Sequence, residues 1–428
     1  MTTSYFSRIG SSNAYDKTLQ NISYRQNSLA ELQENLTSGK KVLRSSDDPT
    51  GAALAERALT RISRVTADQR ALEAQRNSIA TAESTLGEVT DRLQDFRELV
   101  IQAGNGSYSA SERNIIGKQL NSLREHILDL SNRNDSNGMP LFGGLGSGLT
   151  PFVGPSALPN DYTYKGLPGQ TASTVSSIPH TLDGDSAFMF QAARDGIYNV
   201  KLSDISGSGA ITAPRSLSTD VVATTDQSLV TGSSFSIEIT SVGAGVAPGT
   251  SSATYTVTET TAAGVTLPTG PNIVSPDYAT GSAANISVTS MPGLSLTIKG
   301  TPVIGDTIAV APRSSIFSAL DDAVRDIGSA VNGNSASQAV VQALAAIDAG
   351  LNRVISVRGQ AGELLNRADR ITERNDKLST ELESNRSRAE DLDMVKGISD
   401  FQNQQTGYQA ALQSYAQVQK LSLFDYIR

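Results

Sequence analysis

Near its start the chain carries a long seven-residue rhythm. Val65, Leu72, Ile79, Leu86, Leu93 and Val100 recur at that interval, with Ala82, Val89 and Phe96 offset by three in the second half. This is the a/d seam of a coiled coil. A weaker, partly polar stripe lies near the other end, where Phe401, Tyr408, Leu412 and Tyr415 are completed by Gln405 and Gln419. Leu19, Ile22, Leu29, Leu32 and Leu36 line one face of an opening helix over about 12–38, interrupted by Gln26 and Gln33 and ended by Gly39. Asp48 can cap the next helix, and Pro49 suits its first turn. From Pro49 to about Ala103 that helix would be roughly 80 Å long. Gly104, Asn105 and Gly106 stop it, Ser109 with Glu112 forms a capping box, and Ile116, Leu120, Leu123, Ile127 and Leu130 give a third helix ending near Asn134.

From Asn137 the texture changes. Gly143, Gly144, Gly146 and Gly148 loosen the backbone, and Pro151, Pro155, Pro159 and Pro168 forbid long helices. Period-two runs follow: Tyr162 with Tyr164, Phe188 with Phe190, Tyr198, Val200 and Leu202, then Phe235, Ile237 and Ile239, and Leu294, Leu296 and Ile298. They predict half-buried strands, so 140–313 reads as all-β, in two lobes. Helical periodicity resumes at Ile316, Leu320, Val324 and Ile327. After a loop around Asn332, Gly333 and Asn334, it resumes again at Val340, Leu344, Ile347, Leu351 and Val354. A final helix is expected from the 340s almost to Leu421, its seam carried by Ile371, Leu378, Leu382, Ala389 and Leu392. The expected fold class is α+β: a discontinuous helical bundle and coiled coil from the N- and C-terminal segments, with an inserted mainly-β domain. The expected divisions are a terminal segment 1–48, a helical rod in two parts, 49–139 and 314–395, the β domain 140–313, and a second terminal segment 396–428.

The length, 428 residues, suggests two or three domains. With no cysteine, disulfides and Cys-based metal sites are excluded, and a net charge of −8 argues against a dedicated nucleic-acid surface or a polybasic membrane anchor. The first thirty residues hold no apolar run of signal-peptide length, and no later stretch is expected to span a membrane. Only His126 and His180 supply imidazoles; HExxH, GxxxxGK[ST] and strand-linked GxGxxG patterns do not occur. Asp47 and Asp48 are better explained by capping than by acid–base work, Asp321 and Asp322 by a solvated first turn, and Lys40, Lys41 and Arg44 by a solvated loop after a helix C-terminus. Asp183 with Asp185 is the pair through which a secreted enzyme acting on glycans would work. No catalytic role, cofactor or metal is expected.

Four segments carry a family resemblance. They are Ser38–Pro49 (SGKKVLRSSDDP), Thr3–Phe6 (TSYF), Asn137–Gly144 (NGMPLFGG, with Gly143 where the family pattern has serine) and Leu421–Ile427 (LSLFDYI). Together they resemble the flagellin-like family and, within it, the hook-associated protein 3 or hook–filament junction group. The resemblance covers about 1–150 and 315–428. It implies a structural part exported unfolded, without a cleaved signal peptide, to the extracellular flagellum. There it would join copies of itself in a ring, a neighbouring hook-associated protein on the hook side and flagellin on the filament side, after meeting an export chaperone at its C-terminal segment. Terminal segments of this kind order on assembly. The expected assembly interface is then Leu19, Ile22, Leu29, Leu36, Phe401, Tyr408, Leu412, Tyr415, Leu421, Phe424 and Tyr426, and Ser46, Asp47, Asp48 and Pro49 form the family turn and helix cap. The alternatives are flagellin itself and a secreted effector whose β domain binds or cleaves glycans.

Overall fold

The heptad stripe of the long helix is buried from Val65 through Val100 in the computed structural model, which describes residues 11–146, 150–156, 161–203, 217–330 and 332–426. The helices are α1 (Ser11–Ser38), α2 (Pro49–Ala103) and α3 (Ala110–Ser131), then the short α4 (Gly184–Phe188) and α5 (Ala192–Asp195), then α6 (Ile316–Gly328), α7 (Gly333–Glu390) and α8 (Met394–Tyr426). Between them lie β1 (Phe152–Val153), β2 (Thr163–Tyr164), β3 (Tyr198–Ser203), β4 (Ser218–Thr219), β5 (Ala223–Thr224), β6 (Ser234–Ala244) and β7 (Thr250–Thr260). The strands continue with β8 (Ile273–Val274), β9 (Tyr278–Ala279), β10 (Ala284–Met291), β11 (Leu294–Gly300) and β12 (Thr307–Pro312). The chain divides into two compact units: Ala71–Ile371, and Met1–Arg70 with Thr372–Arg428.

In the unit Ala71–Ile371, the α2 stripe shares one apolar core with Val340, Ile347, Val354 and Ala361 of α7, Leu120 and Ile127 of α3, and Leu320 and Ile327 of α6. Ion pairs Arg97–Asp348 (2.7 Å), Arg358–Glu83 (2.7 Å) and Arg76–Asp369 (3.1 Å) run down α2 as they run up α7, so the two helices are antiparallel. These pairs are exposed and set register more than stability. α3 and α6 cross closely, since a Cβ on Gly117 would stand 3.0 Å from Gly328 Cα. The Ser109–Glu112 capping box starts α3.

Beside this bundle six aromatic rings fill one space. Phe317 of α6 lies 5.2 Å from both Phe152 and Tyr162 and 5.6 Å from Phe188, while Phe142 meets Phe188 edge-on at 5.4 Å. Tyr164 completes the set against Phe152. The two larger sheets are wholly antiparallel, one ordered β3-β12-β6-β7-β8 with β9 also on β7, the other β10-β11-β4 with β5 also on β11. Phe235, Ile237, Ile239, Ile308 and Val310 from the first join Ile286, Val288, Leu294, Leu296 and Ile298 from the second in a single buried cluster, as two inner sheet faces do. The margin at β4 is finished by α7: Gln338 exchanges hydrogen bonds with Thr219 N–H and Oγ1, while Gln342 and Asn334 donate to the carbonyls of Asp220 and Leu217.

Several expectations are corrected. Phe188 and Phe190 lie on no strand, because Asp183 caps α4 by accepting from Asp185 N–H (3.1 Å) and Ser186 Oγ (2.6 Å). Asp321 and Asp322 are not solvated. Tyr162 donates to Asp321 (2.9 Å), which pairs with Arg124 (3.0 Å), and Asp322 accepts from Arg313 (3.0 Å) and Asn199 (2.7 Å) and pairs with Lys201 (3.4 Å). Burial raises the Asp321 carboxyl; it also acts to raise that of Asp322, but Arg313, Lys201 and Arg325 together hold Asp322 below the usual carboxylate range. α7 begins at Gly333, because the Asn332 side chain accepts from Ser335 N–H (2.8 Å) and starts the helix earlier than the 340s. One window of α7 is also long and apolar enough to cross a membrane by composition alone, contrary to expectation. That part of the helix supplies Val340, Ala343, Ile347 and Val354 to the core.

In the unit formed by the two ends, α1 packs along α8. The single long final helix is interrupted: α7 stops at Glu390, and Asp393 caps α8 by accepting from Val395 N–H (3.0 Å) and Lys396 N–H (3.2 Å). The interruption is held from a distance, by Leu392 N–H donating to the Gly39 carbonyl (2.9 Å) and by a bridge between Lys40 and Asp391. Leu392 therefore sits outside the α7 seam. Leu378 is 40% exposed, and the buried seam positions are Asn375 and Leu382.

Replacing Phe317, whose side chain has no exposure, by alanine is expected to destabilise the unit Ala71–Ile371 by about 3–5 kcal/mol. The denaturant midpoint followed by near-ultraviolet circular dichroism measures it.

Candidate assembly interface

Two sequence-distant helices make the surface of interest. On α1 the partly buried positions include Thr18, Ile22, Arg25, Ser28, Leu29, Leu32, Asn35 and Leu36; on α8 they include Phe401, Gln404, Gly407, Tyr408, Ala411 and Tyr415. Both sets follow steps of three and four, the spacing of paired helices. Arg25 donates to Gln404 Oε1 (3.2 Å), Gln404 donates to Ser28 Oγ (3.0 Å), and a Cβ on Gly407 would stand 2.4 Å from Arg25 Nη1. A Cβ on Gly397, seven to ten residues earlier, would meet Leu36 at 3.2 Å, so the helices run antiparallel. A polar layer of this kind fixes register at some cost in stability.

Of the expected interface residues, Ile22, Leu29, Leu36, Phe401, Tyr408 and Tyr415 lie on this contact and are only half buried. Leu19 (39% exposed) and Leu412 (41%) lie on its flank. Leu421, Phe424 and Tyr426 fall in the last turns of α8, and their side chains, like Thr3–Phe6 and Ile427, lie outside the described residues. Gln26, Gln33 and Gln405 are exposed, so they do not break the seams. The polar seam residues are Arg25, Ser28 and Gln404. A shift of one residue in the α8 stripe, from Gln405 and Leu412 to Gln404 and Ala411, would have revealed them. Among the described residues of α1 and α8 no hydrophobic side chain is fully buried, whereas on α2 Leu72, Ile79, Leu86, Val89, Leu93, Phe96 and Val100 are all below 2% exposure. Leu54, Leu59, Met394, Val395 and Ile398 of the same unit are exposed as well, Val395 by 81%.

The family turn closes this unit. Gly39 ends α1 with φ +72°, in the left-handed region glycine favours. Asp47 accepts from Leu43 N–H (3.2 Å) and Arg44 N–H (2.8 Å), with Ser46 Oγ donating to its other oxygen (3.2 Å). Asp48 accepts from Thr50 N–H (3.0 Å) and Gly51 N–H (2.9 Å), which caps α2 at Pro49. The cations are not merely solvated: Lys40 pairs with Glu390, Lys41 donates to the Arg388 carbonyl (2.8 Å), and Arg44 pairs with Glu34 (3.1 Å). Lys41 N–H also donates to the Glu390 carbonyl (2.8 Å), so the loop after α1 is laced to the end of α7.

Elsewhere the candidate chemistry is committed to structure. Asp183 caps α4 and Asp185 pairs with Arg194 (3.2 Å). His126 and His180 are exposed, the latter offering its carbonyl to Ser78 Oγ (2.8 Å). Among the described residues no group of three or more His, Cys, Asp or Glu side chains could hold a metal ion.

Two family models match the ends of the chain: the bacterial flagellin N-terminal helical region over residues 9–147 and the bacterial flagellin C-terminal helical region over 344–427. Together they take in more than half of it. The chain belongs to the flagellin family. It is 29% identical over 153 residues to the flagellar hook-associated protein 3 of Salmonella typhimurium, covering 34% of this chain and 46% of that protein. It is 33% identical over 119 residues to a flagellin of Serratia marcescens, covering 28% and 34%. The chain thus spans less than half the length of these relatives. In fold it is similar to the flagellar junction protein FlgL of Legionella pneumophila (TM-score 0.54, 22% identity, 73% of this chain and 98% of that one). It is likewise similar to FlgL of Xanthomonas campestris (TM-score 0.53, 23% identity, 76% and 99%).

Asp48→Ala should lower stability by about 1 kcal/mol, the worth of a helix cap, in chemical denaturation. Asp47 is held below the usual carboxylate range chiefly by the backbone N–H of Arg44. Its contribution is therefore present above the unfolded carboxylate pKa and is lost as pH falls through the lower folded value. Asp47→Asn should flatten that acid limb of the stability–pH curve.

Proposed function

We propose that this chain is a structural subunit of the bacterial flagellum that joins hook to filament by packing its two terminal segments against neighbours in a ring. The observation that carries the reading is the α1–α8 pair, whose apolar stripes meet yet leave every described hydrophobic side chain partly in water. A helix pair that buries so little is marginal alone, because helices gain most of their stability from a packed apolar face. Successive copies supply the missing cover through surfaces that differ on the two sides of each protomer, so contacts run head to tail and close. Segments 1–48 and 396–428 complete their folding only there, including the side chains of Leu421, Phe424 and Tyr426.

On this reading the outer neighbours are a hook-associated protein on one side and flagellin on the other, and a chaperone holds the C-terminal segment before export. The location is extracellular, reached without cleavage of a signal peptide. The chain has no catalytic role in this scheme. The names of the Salmonella and Legionella relatives support the junction role, while the Serratia flagellin supports a second reading, the filament subunit itself.

Cells deleted for this chain should keep their hooks and release filament subunits into the medium; loss of hook-attached filaments with no subunits released would favour the second reading, and normal filaments would overturn both. In the purified chain, amide exchange along α1 and α8 should be fast and become slow on assembly. Full protection of both helices in the monomer would mean that they are satisfied without neighbours.

A further inference from the structure

The outer face of the first turns of α2 carries an unbalanced charge. Arg57, Arg61 and Arg64 are exposed and spaced i, i+4, i+7, which places them in one band beside the exposed Leu54. Among the described residues none of the three makes an ion pair; the acidic Asp68 further along the band forms none with Arg64. Like charges one turn apart on a helix repel, so within one chain this arrangement costs stability and returns nothing.

In the same unit, α1 and α8 leave between them a groove of about 440 Å³, lined by Ser28, Glu31, Leu32 and Asn35 of α1 and by Asp400, Asn403 and Gln404 of α8. Glu31 and Asp400 are exposed and likewise form no ion pair among the described residues. The lining is one leucine, one serine, two carboxylates and three amides, of which Gln404 already serves Arg25 and Ser28, so the two carboxylates are the acceptors for incoming guanidinium groups. Ser28 to Asn35 along the groove and Arg57 to Arg64 along α2 each cover about 10 Å of helix axis.

We infer that the Leu54–Arg57–Arg61–Arg64 face of α2 docks into the Glu31–Asp400 groove between α1 and α8 of a second copy of this chain. The inference rests on the assembly reading above and adds to it which faces meet. The two faces differ, so the contact is head to tail and each copy keeps one of each kind free for the next. Opposite potentials make the encounter fast and dependent on ionic strength, and like charges brought to the same place exclude a wrong register. Leu54 and Leu32 supply the apolar part of the contact.

Because the chain has no cysteine, the contact can be tested by introduced thiols in the full-length protein. One tagged copy carries Glu31→Cys and a differently tagged copy carries Arg61→Cys. Oxidation at low salt should yield a mixed-tag disulfide dimer that becomes scarcer as salt rises. A pair of Glu31→Cys with Val246→Cys, the latter 98% exposed on the β6–β7 loop, gives the background. Cross-linking no stronger than that background overturns the docking. In cells, Arg57→Glu with Arg61→Glu, or Glu31→Lys with Asp400→Lys, should each reduce attached filaments by about tenfold or more. The four changes combined should recover them. Wild-type assembly by both double variants would also overturn the docking, and circular dichroism of each variant identifies any that fails to fold. A deletion strain with normal filaments would instead remove the junction reading, while the thiol experiment on purified copies would still decide the contact.

Discussion

The burial of one heptad stripe on α2 is the constraint on which the architecture rests. Its apolar positions are not covered by α3 alone, and the helix that completes the cover, α7, arrives only after the sheets have been threaded through the middle of the sequence. Pairing segments more than two hundred residues apart carries a loop-closure cost that rises only slowly with length. A large insertion is therefore tolerated, provided its two ends return to one place. The aromatic cluster around Phe317 and the buried ion pairs of Asp321 and Asp322 stand at that place, and they tie the inserted strands to α3 and α6.

Stability is unevenly distributed along the helices. The α2–α7 core in the unit Ala71–Ile371 is dry and continuous, whereas the α1–α8 pair is half wet and ordered by an Arg25–Gln404–Ser28 layer. Partly buried polar contacts of this sort give specificity more readily than strength. On the proposed assembly reading this contrast has a use, since segments that finish folding in contact with neighbours need not be stable alone.

Much of this was legible in the sequence because helical and strand periods are local signals. The α2 seam, the Asp48 cap, the Ser109–Glu112 capping box and the β6 and β11 alternations all appear as expected. What was missed depends on distant partners. Nothing between Glu390 and Met394 is a glycine or proline; the helix stops there because the Gly39 carbonyl and the Lys41 N–H take over its backbone hydrogen bonds. Asp321 and Asp322 look like surface residues until Arg124, Arg313 and Tyr162 converge on them. In the α8 stripe, hydrophobicity favours Leu412, yet the packed position belongs to the smaller Ala411, on the same face as Gly407 where the Arg25 guanidinium lies against the backbone.

The margin of the smaller large sheet has a further meaning. At β4 the amides of Gln338, Gln342 and Asn334 occupy the backbone groups that a neighbouring strand would otherwise seek. An unguarded border of that kind invites a foreign polypeptide to add itself, which is how sheets fuse into fibres. A side chain can fill such a position without extending the ladder, so stacking by strand addition ends at β4 however densely the molecules are crowded.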